Sequence, residues 1–304
     1  MWEKTRFSES NPLSVNIGTT GRTVIQSLNK ITNVCWANIP GESFDSNILY
    51  TLMCPTGDYC SMVRIRSLTS GSDSRLNTRN NFDFMLGPRA VWTCAWNGYT
   101  KQFSVGSEKQ SLLIDVRTRK LWELKTGDSD ALSQVFSGQG KPCLYSGTRK
   151  GQILTHDLRS NSVRPVDCLR MTSSISCLRL LQDDVRLLAS DVKGKINLWD
   201  IRMKKELVEY KGCKNEYSRI PVHIDETERL VYGVGQDGYV NFWCLNSGKL
   251  LRSLPPPVTT DIDTIPAVKY SERWGNKQGN SGLVMGLGDK LFLYSSFTSQ
   301  SQTV

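Results

Sequence analysis

The chain of 304 residues has only two histidines, His156 and His223. Neither lies in an H-E-x-x-H stretch or beside paired cysteines, which excludes the familiar zinc-hydrolase arrangements. There is no G-x-S-x-G nucleophile elbow and no phosphate-binding G-x-x-x-x-G-K-[ST] loop, so no catalytic residue, cofactor or metal site is expected. No C-x-x-C pair occurs, and the nine cysteines are odd in number. That usage reads as reduced, buried thiols of an intracellular protein. No apolar run reaches the roughly 18 residues of a membrane-spanning helix, and Met1 to Phe7 lack the apolar core of a signal peptide. The expected location is therefore the nucleus or the cytoplasm. Acidic residues are also the minority, 29 against 38 Lys plus Arg, and the resulting charge of +9 favours acidic partners.

What the chain does have is an internal repeat. Tyr145 to Arg159, Ala189 to Arg202 and Val234 to Cys244 align with few gaps, and their turn glycines Gly151, Gly194 and Gly238 recur every 43 or 44 positions. Weaker copies run from Val105 to Arg117 and from Met285 to Tyr294. A period of about 43 residues built from short strands is that of a WD-type propeller blade. Alternating and short apolar runs predict four strands per unit, in the best copy Ile175 to Leu181, Arg186 to Ser190, Lys195 to Asp200 and Glu206 to Tyr210. First strands are expected near Val34, Cys94, Leu132, Ile175, Val222 and Ala267.

The predicted fold is thus an all-β WD-repeat propeller. Six units are recognisable, chain length favours seven blades, and a six-bladed ring stays open. The last unit shows three strands, and Thr20 to Leu28 resembles the fourth-strand segment Ser247 to Leu254. The N-terminal segment 1–30 is expected to supply a closing strand, or to be the remnant of a further blade, with 31–304 as the propeller. Ser67 to Ala90, rich in Ser, Arg and Asn, reads as an insertion.

Gly233 to Gly238 fits G-x-G-x-x-G, but a strand follows it where a dinucleotide site needs a helix, so it reads as a hairpin turn. Asp115, Asp157 and Asp200 recur at the ends of third strands, each followed two residues on by Arg117, Arg159 and Arg202. Guanidiniums repeated at one blade position suit bidentate pairing with a partner's carboxylates or carbonyls. The alternative is that each pairs only with its own aspartate. Lys109, Arg149, Lys193, Gln236, Asp237 and Asp289, in turns between second and third strands, form a second candidate partner-binding rim or a solvated face.

The wording of several strands goes further than the generic repeat. Val34-Cys35-Trp36-Ala37, Trp92-Thr93-Cys94-Ala95-Trp96, Leu180 to Asp183, Ala189 to Arg202, Asn215-Glu216-Tyr217, Val234 to Asp237 and Leu250-Leu251-Arg252 together resemble the WD-repeat substrate receptors of cullin-4 RING ubiquitin ligases, of the associated-factor-four type. The resemblance runs from about residue 33 to 295. It implies a non-enzymatic receptor that docks on the damaged-DNA-binding adaptor through W-D-x-R boxes and recruits a protein substrate. Trp199-Asp200-Ile201-Arg202 matches such a box in full, whereas His156 and Ile114 stand where the other two would carry tryptophan. The alternatives are a ligase-independent scaffold for acidic peptides and, with only charge in its favour, a nucleic-acid-associated factor. Neither a membrane nor a small-molecule substrate is expected.

Overall fold

The computed structural model describes residues 13–16, 30–37, 50–56, 61–67, 82–138, 142–160, 162–257, 265–272, 281–288 and 290–295. Short strands dominate because β-branched and aromatic residues alternate with polar ones between glycine and aspartate turns. The chain opens with β1 (Leu13–Asn16). A first sheet follows in chain order, β2 (Lys30–Ala37), β3 (Tyr50–Thr56), β4 (Ser61–Ser67) and β5 (Phe82–Gly87). The second is β6 (Val91–Asn97), β7 (Gln102–Ser107), β8 (Gln110–Asp115) and β9 (Leu121–Lys125). The third is β10 (Ala131–Phe136), β11 (Cys143–Thr148), β12 (Gln152–Asp157) and β13 (Asp167–Arg170). The fourth is β14 (Ile175–Leu180), β15 (Arg186–Asp191), β16 (Ile196–Asp200) and β17 (Lys205–Tyr210). The fifth is β18 (Val222–Ile224), β19 (Leu230–Val234), β20 (Val240–Cys244) and β21 (Leu250–Leu254). The last comprises β22 (Ala267–Ser271), β23 (Gly282–Leu287) and β24 (Lys290–Ser295), with β1 as its fourth strand.

These strands fall within a residue or two of the expected ones in the best copy, and all six first strands contain or lie within three residues of their expected starts. Six four-stranded sheets lie among the described residues, where chain length favoured seven blades. The strand that joins β24 antiparallel is Leu13–Asn16, with Leu13 opposite Leu293 and Asn16 opposite Lys290. Thr20 to Leu28, expected in that place, lies outside the described residues. Part of the expected insertion is a strand: β5 pairs with β4 from Phe82 to Gly87, because Phe84 and Leu86 turn inward onto the core. The apparent dinucleotide motif is a tight turn between β19 and β20. Gly238 sits there at φ +78°, a conformation that costs glycine nothing, and its N–H donates to the Gly235 carbonyl.

The chain divides into two compact units, and the division runs through β16 and β17. The larger takes the described residues of Thr23–Val192 and Leu198–Leu207. In it β2 packs on β6, β6 on β10 and β10 on β14, so first strands of successive sheets are neighbours. Its core includes Phe103, Val105 and Leu112 on one side, and Ile153, Ile175 and Leu187 on another. The smaller unit takes the described residues of Met1–Arg22, Lys193–Asn197 and Val208–Val304. It is centred on Tyr232, Phe242 and Tyr270, whose rings meet at 5.7–5.9 Å. Cys94, Cys143 and Cys177 are buried, and they and Cys35, Cys168, Cys213 and Cys244 carry free thiols; Cys60 lies outside the described residues. Among the described residues no helix is long and apolar enough to cross a membrane.

Candidate functional site

Three consecutive third strands, β8, β12 and β16, each end on an aspartate, and all three ends belong to the larger unit. The carboxylate caps the turn that follows. Asp115 Oδ1 accepts from the N–H of Arg117 at 2.9 Å and of Thr118 at 2.8 Å. Asp200 Oδ1 accepts from Arg202 and Met203 at 2.8 and 3.0 Å, and Asp157 Oδ1 from Arg159 at 2.9 Å. An aspartate folding back on the backbone two and three residues ahead is what this short acceptor does best. The next N–H anchors the turn to the sheet: Val116 donates to Lys101, Leu158 to Pro142 and Ile201 to Val185. The same turn is thus built three times over, at the end of the sheet where first strands also finish.

The arginines differ in how they are held. Arg159 is tied to its own aspartate, through Nε at 3.1 Å and Nη2 at 2.7 Å, although its side chain is 68% exposed. Arg202 approaches Asp200 only to 3.6 Å, beside an exposed Met203. Arg117 has no side-chain partner among the described residues. The sequence alternative of self-pairing therefore describes Arg159, whereas Arg117 and Arg202 are the more available forks. Exposed pairs are weak, so a partner carboxylate can displace even the Arg159 contact at small cost.

Hydrogen bonds from the Arg159 side chain and then its backbone hold the Asp157 carboxyl down to about 2, against the opposing effect of desolvation. For Asp200 the backbone N–H of Met203 is the chief cause of a shift in the same direction. A depressed carboxyl stabilises the fold fully above its unfolded value of about 3.9, and that contribution is lost as pH falls through the folded value. Arg159→Gln is expected to move the Asp157 titration, followed by carboxyl carbon NMR, up towards the ordinary range. A titration still near pH 2 would mean that the backbone alone sets it.

The residues preceding these aspartates face inward. Trp199 and Ile114 are buried, so the tryptophan of the complete box packs in the core. His156 is fully buried, and its Nε2 lies 3.0 Å from the Lys125 carbonyl at the end of β9. That contact requires the proton on Nε2, and burial lowers the imidazole's pKa, keeping it neutral. In the smaller unit Trp243, at the same place in its own third strand, donates from Nε1 to the Lys211 carbonyl at 2.7 Å. His156 thus makes to the Lys125 carbonyl the kind of contact that Trp243 makes to the Lys211 carbonyl.

The other expected rim is less coherent. Lys109, at φ +58°, donates its backbone N–H to Asp130, and the Arg149 guanidinium binds the same carboxylate at 2.9 Å while lying over Trp92. The structure brings these two together, and the positive charge of Arg149 is already answered. Lys193 is exposed in the turn between β15 and β16. Gln236 Oε1 accepts from the Glu216 N–H, and Asp237 pairs with Lys214 at 3.5 Å. Asp289 lies outside the described residues.

Sequence reading missed a cavity of about 300 Å³ in the larger unit, where β2, β6 and β10 finish. Its lining includes Trp36, Trp96, Tyr99, Phe136, Gln134 and Arg179. Trp36 and Tyr99 are 67% and 63% exposed, unusual for large rings. The available signal was the tryptophan-rich pair of first strands, Val34 to Ala37 and Trp92 to Trp96, but alternation alone does not say which rings reach water.

The model of the DDB1- and CUL4-associated factor 4 beta-propeller domain matches residues 10–296. The chain is 36% identical over 273 residues to human DDB1- and CUL4-associated factor 4, covering 88% of this chain and 54% of that protein. It is 34% identical to human DDB1- and CUL4-associated factor 4-like protein 2, over 88% of this chain and 68% of the relative. An uncharacterised WD repeat-containing protein of Caenorhabditis elegans is 28% identical over 67% of this chain and 38% of its own length. The chain spans about half the length of the human factor 4 protein. Its repeated four-stranded sheets are those of a WD-repeat β-propeller, and the chain belongs to the DDB1- and CUL4-associated factor 4 family.

Proposed function

We propose that this protein is a non-enzymatic substrate-receptor subunit of a cullin-4 RING ubiquitin ligase. It docks on the damaged-DNA-binding adaptor through the Asp–Arg turns, recruits a protein for ubiquitin transfer, and works in the nucleus or cytoplasm. The observation that carries the reading is the thrice-built turn that presents Arg117, Arg159 and Arg202 from three successive third-strand ends. Membership of a family named for association with the adaptor and the cullin supports it. The aspartate-capped turns fix the backbone from which the three guanidiniums project, so little backbone freedom is lost when a partner's carboxylates or carbonyls meet them.

Affinity capture from cells, quantifying the adaptor and the cullin, tests this. The Arg159→Glu, Arg202→Glu double variant is expected to lose adaptor capture at least about tenfold, since each charged hydrogen bond is worth roughly 1.5–3 kcal/mol. Arg202→Glu alone should weaken capture more than Arg159→Glu, because Arg159 is the one already occupied by its own aspartate. Circular dichroism should show both variants folded. Wild-type protein that retrieves neither partner would leave the propeller as a scaffold without a ligase.

A further inference from the structure

The cavity of the larger unit has no part in the turns just described. Its volume, about 300 Å³, is at the small end for ligand sites and admits one or two side chains. Arg179 is the single charged residue in its lining. Arg179 Nη1 donates to the carbonyl of its own neighbour Leu178, and among the described residues no carboxylate pairs with the guanidinium. Gln134 is buried; its Nε2 donates to Ser146 Oγ at 3.2 Å, and its Oε1 has no partner. The walls therefore hold an unpaired cation, flanked by two largely exposed aromatic rings. On β2, Val34 is also 57% exposed, two residues before Trp36 and on the same face.

We propose that this cavity binds an acidic peptide segment of a partner protein, with a carboxylate on Arg179 and its apolar neighbours against Trp36 and Tyr99. A carboxylate matches the fork of a guanidinium. Arg179 repels the cationic ligands that aromatic walls otherwise favour. A phosphate-bearing ligand or a nucleic-acid strand calls for a row of cations, and the lining offers one. The chain's charge of +9 steers acidic segments towards the site. This binding stands independently of the ligase assignment.

The test is fluorescence anisotropy on the full chain, with labelled, acetylated hexapeptides in which Asp or Glu is flanked by Leu or Phe. Asn and Gln counterparts and an oligothymidylate serve as comparison probes. Acidic peptides are expected to bind at least about tenfold more tightly than their amide counterparts, with Arg179→Gln removing the difference and Arg179→Lys keeping most of it. Trp36→Ala, at an exposed position that leaves the core intact, should weaken binding severalfold. The Arg159→Glu, Arg202→Glu variant should bind these peptides as the wild type does, so loss of adaptor capture and loss of peptide binding are read separately. Absence of acidic-peptide binding, equal affinity for the amide peptides, or indifference to Arg179→Gln overturns the proposal. Oligothymidylate binding that depends on Arg179 while acidic peptides stay unbound overturns it in favour of a nucleic acid.

Discussion

Trp243→Ala is expected to destabilise the smaller unit by about 3–5 kcal/mol, the range for emptying a buried aromatic site. Trp243 is 0% exposed and meets Tyr210 edge-on, with ring centroids 6.3 Å apart. Its Nε1 reaches the Lys211 carbonyl, and the Tyr210 hydroxyl in turn donates to Leu245. Two effects add in the alanine variant: lost volume that neighbouring strands cannot fill, and a carbonyl left without its donor. Trp243→Phe separates them, since it keeps most of the volume and loses only the hydrogen bond, and should cost about 1–2 kcal/mol. Trp243→His should fall between, because His156 makes the same kind of contact in the third sheet. Urea unfolding midpoints give the comparison. An alanine variant within 1 kcal/mol of wild type would show that the site collapses freely and that the ring is not central to the unit.

Strand positions could be read because period-2 alternation and Asp-Gly or Lys-Gly turns agreed with one another at a fixed interval. The match is closest from Ile175 to Tyr210, where each strand is bounded by a turn that the residue types dictate. Reading failed where polar composition masked a strand. Ser67 to Ala90 looked like an insertion because Ser, Arg and Asn outnumber the apolar residues, yet Phe84 and Leu86 suffice to seat β5 on the core. The closing strand was sought at Thr20 to Leu28 by likeness to Ser247 to Leu254. The strand beside β24 is earlier in the chain, and no local pattern distinguishes two short apolar runs competing for one sheet edge.

The site was legible in part for the same reason. Periodic Asp-x-Arg spacing identified the three turns, since an aspartate at a strand end has few backbone partners other than the N–H groups just ahead. Which arginine stays available was not legible: that depends on a difference of about an ångström between the Asp157 and Asp200 contacts, set by turn geometry. Nor was the cavity, which needs residues from β2, β6, β10 and β14, separated by up to 144 positions between Cys35 and Arg179, to converge.

Convergence of first strands on their neighbours carries a second large effect. Gly106→Ala is expected to cost about 3 kcal/mol or more, at the upper end of overpacking, because the added Cβ would lie 2.3 Å from the Ala131 carbonyl oxygen and 2.6 Å from Thr93 Cγ2. Ala131 opens β10, the first strand of the following sheet, so relief requires moving backbone rather than rotating a side chain. Gly147 repeats the arrangement one sheet on, where a Cβ would meet Ile175 Cγ2 at 2.4 Å, and Gly147→Ala should be costly for the same reason. Ile175 can yield partly through its side chain, so this variant should fall short of Gly106→Ala. Gly98 provides the control, with the nearest atom, Trp96 Nε1, at 3.6 Å, and Gly98→Ala should stay within about 0.5 kcal/mol of wild type. Denaturation midpoints in that order would establish that the second strand of one sheet and the first strand of the next touch through backbone. Equal costs at Gly106 and Gly98 would instead mean that the sheets can spread without penalty, and the close packing that places the cavity walls would lose its basis.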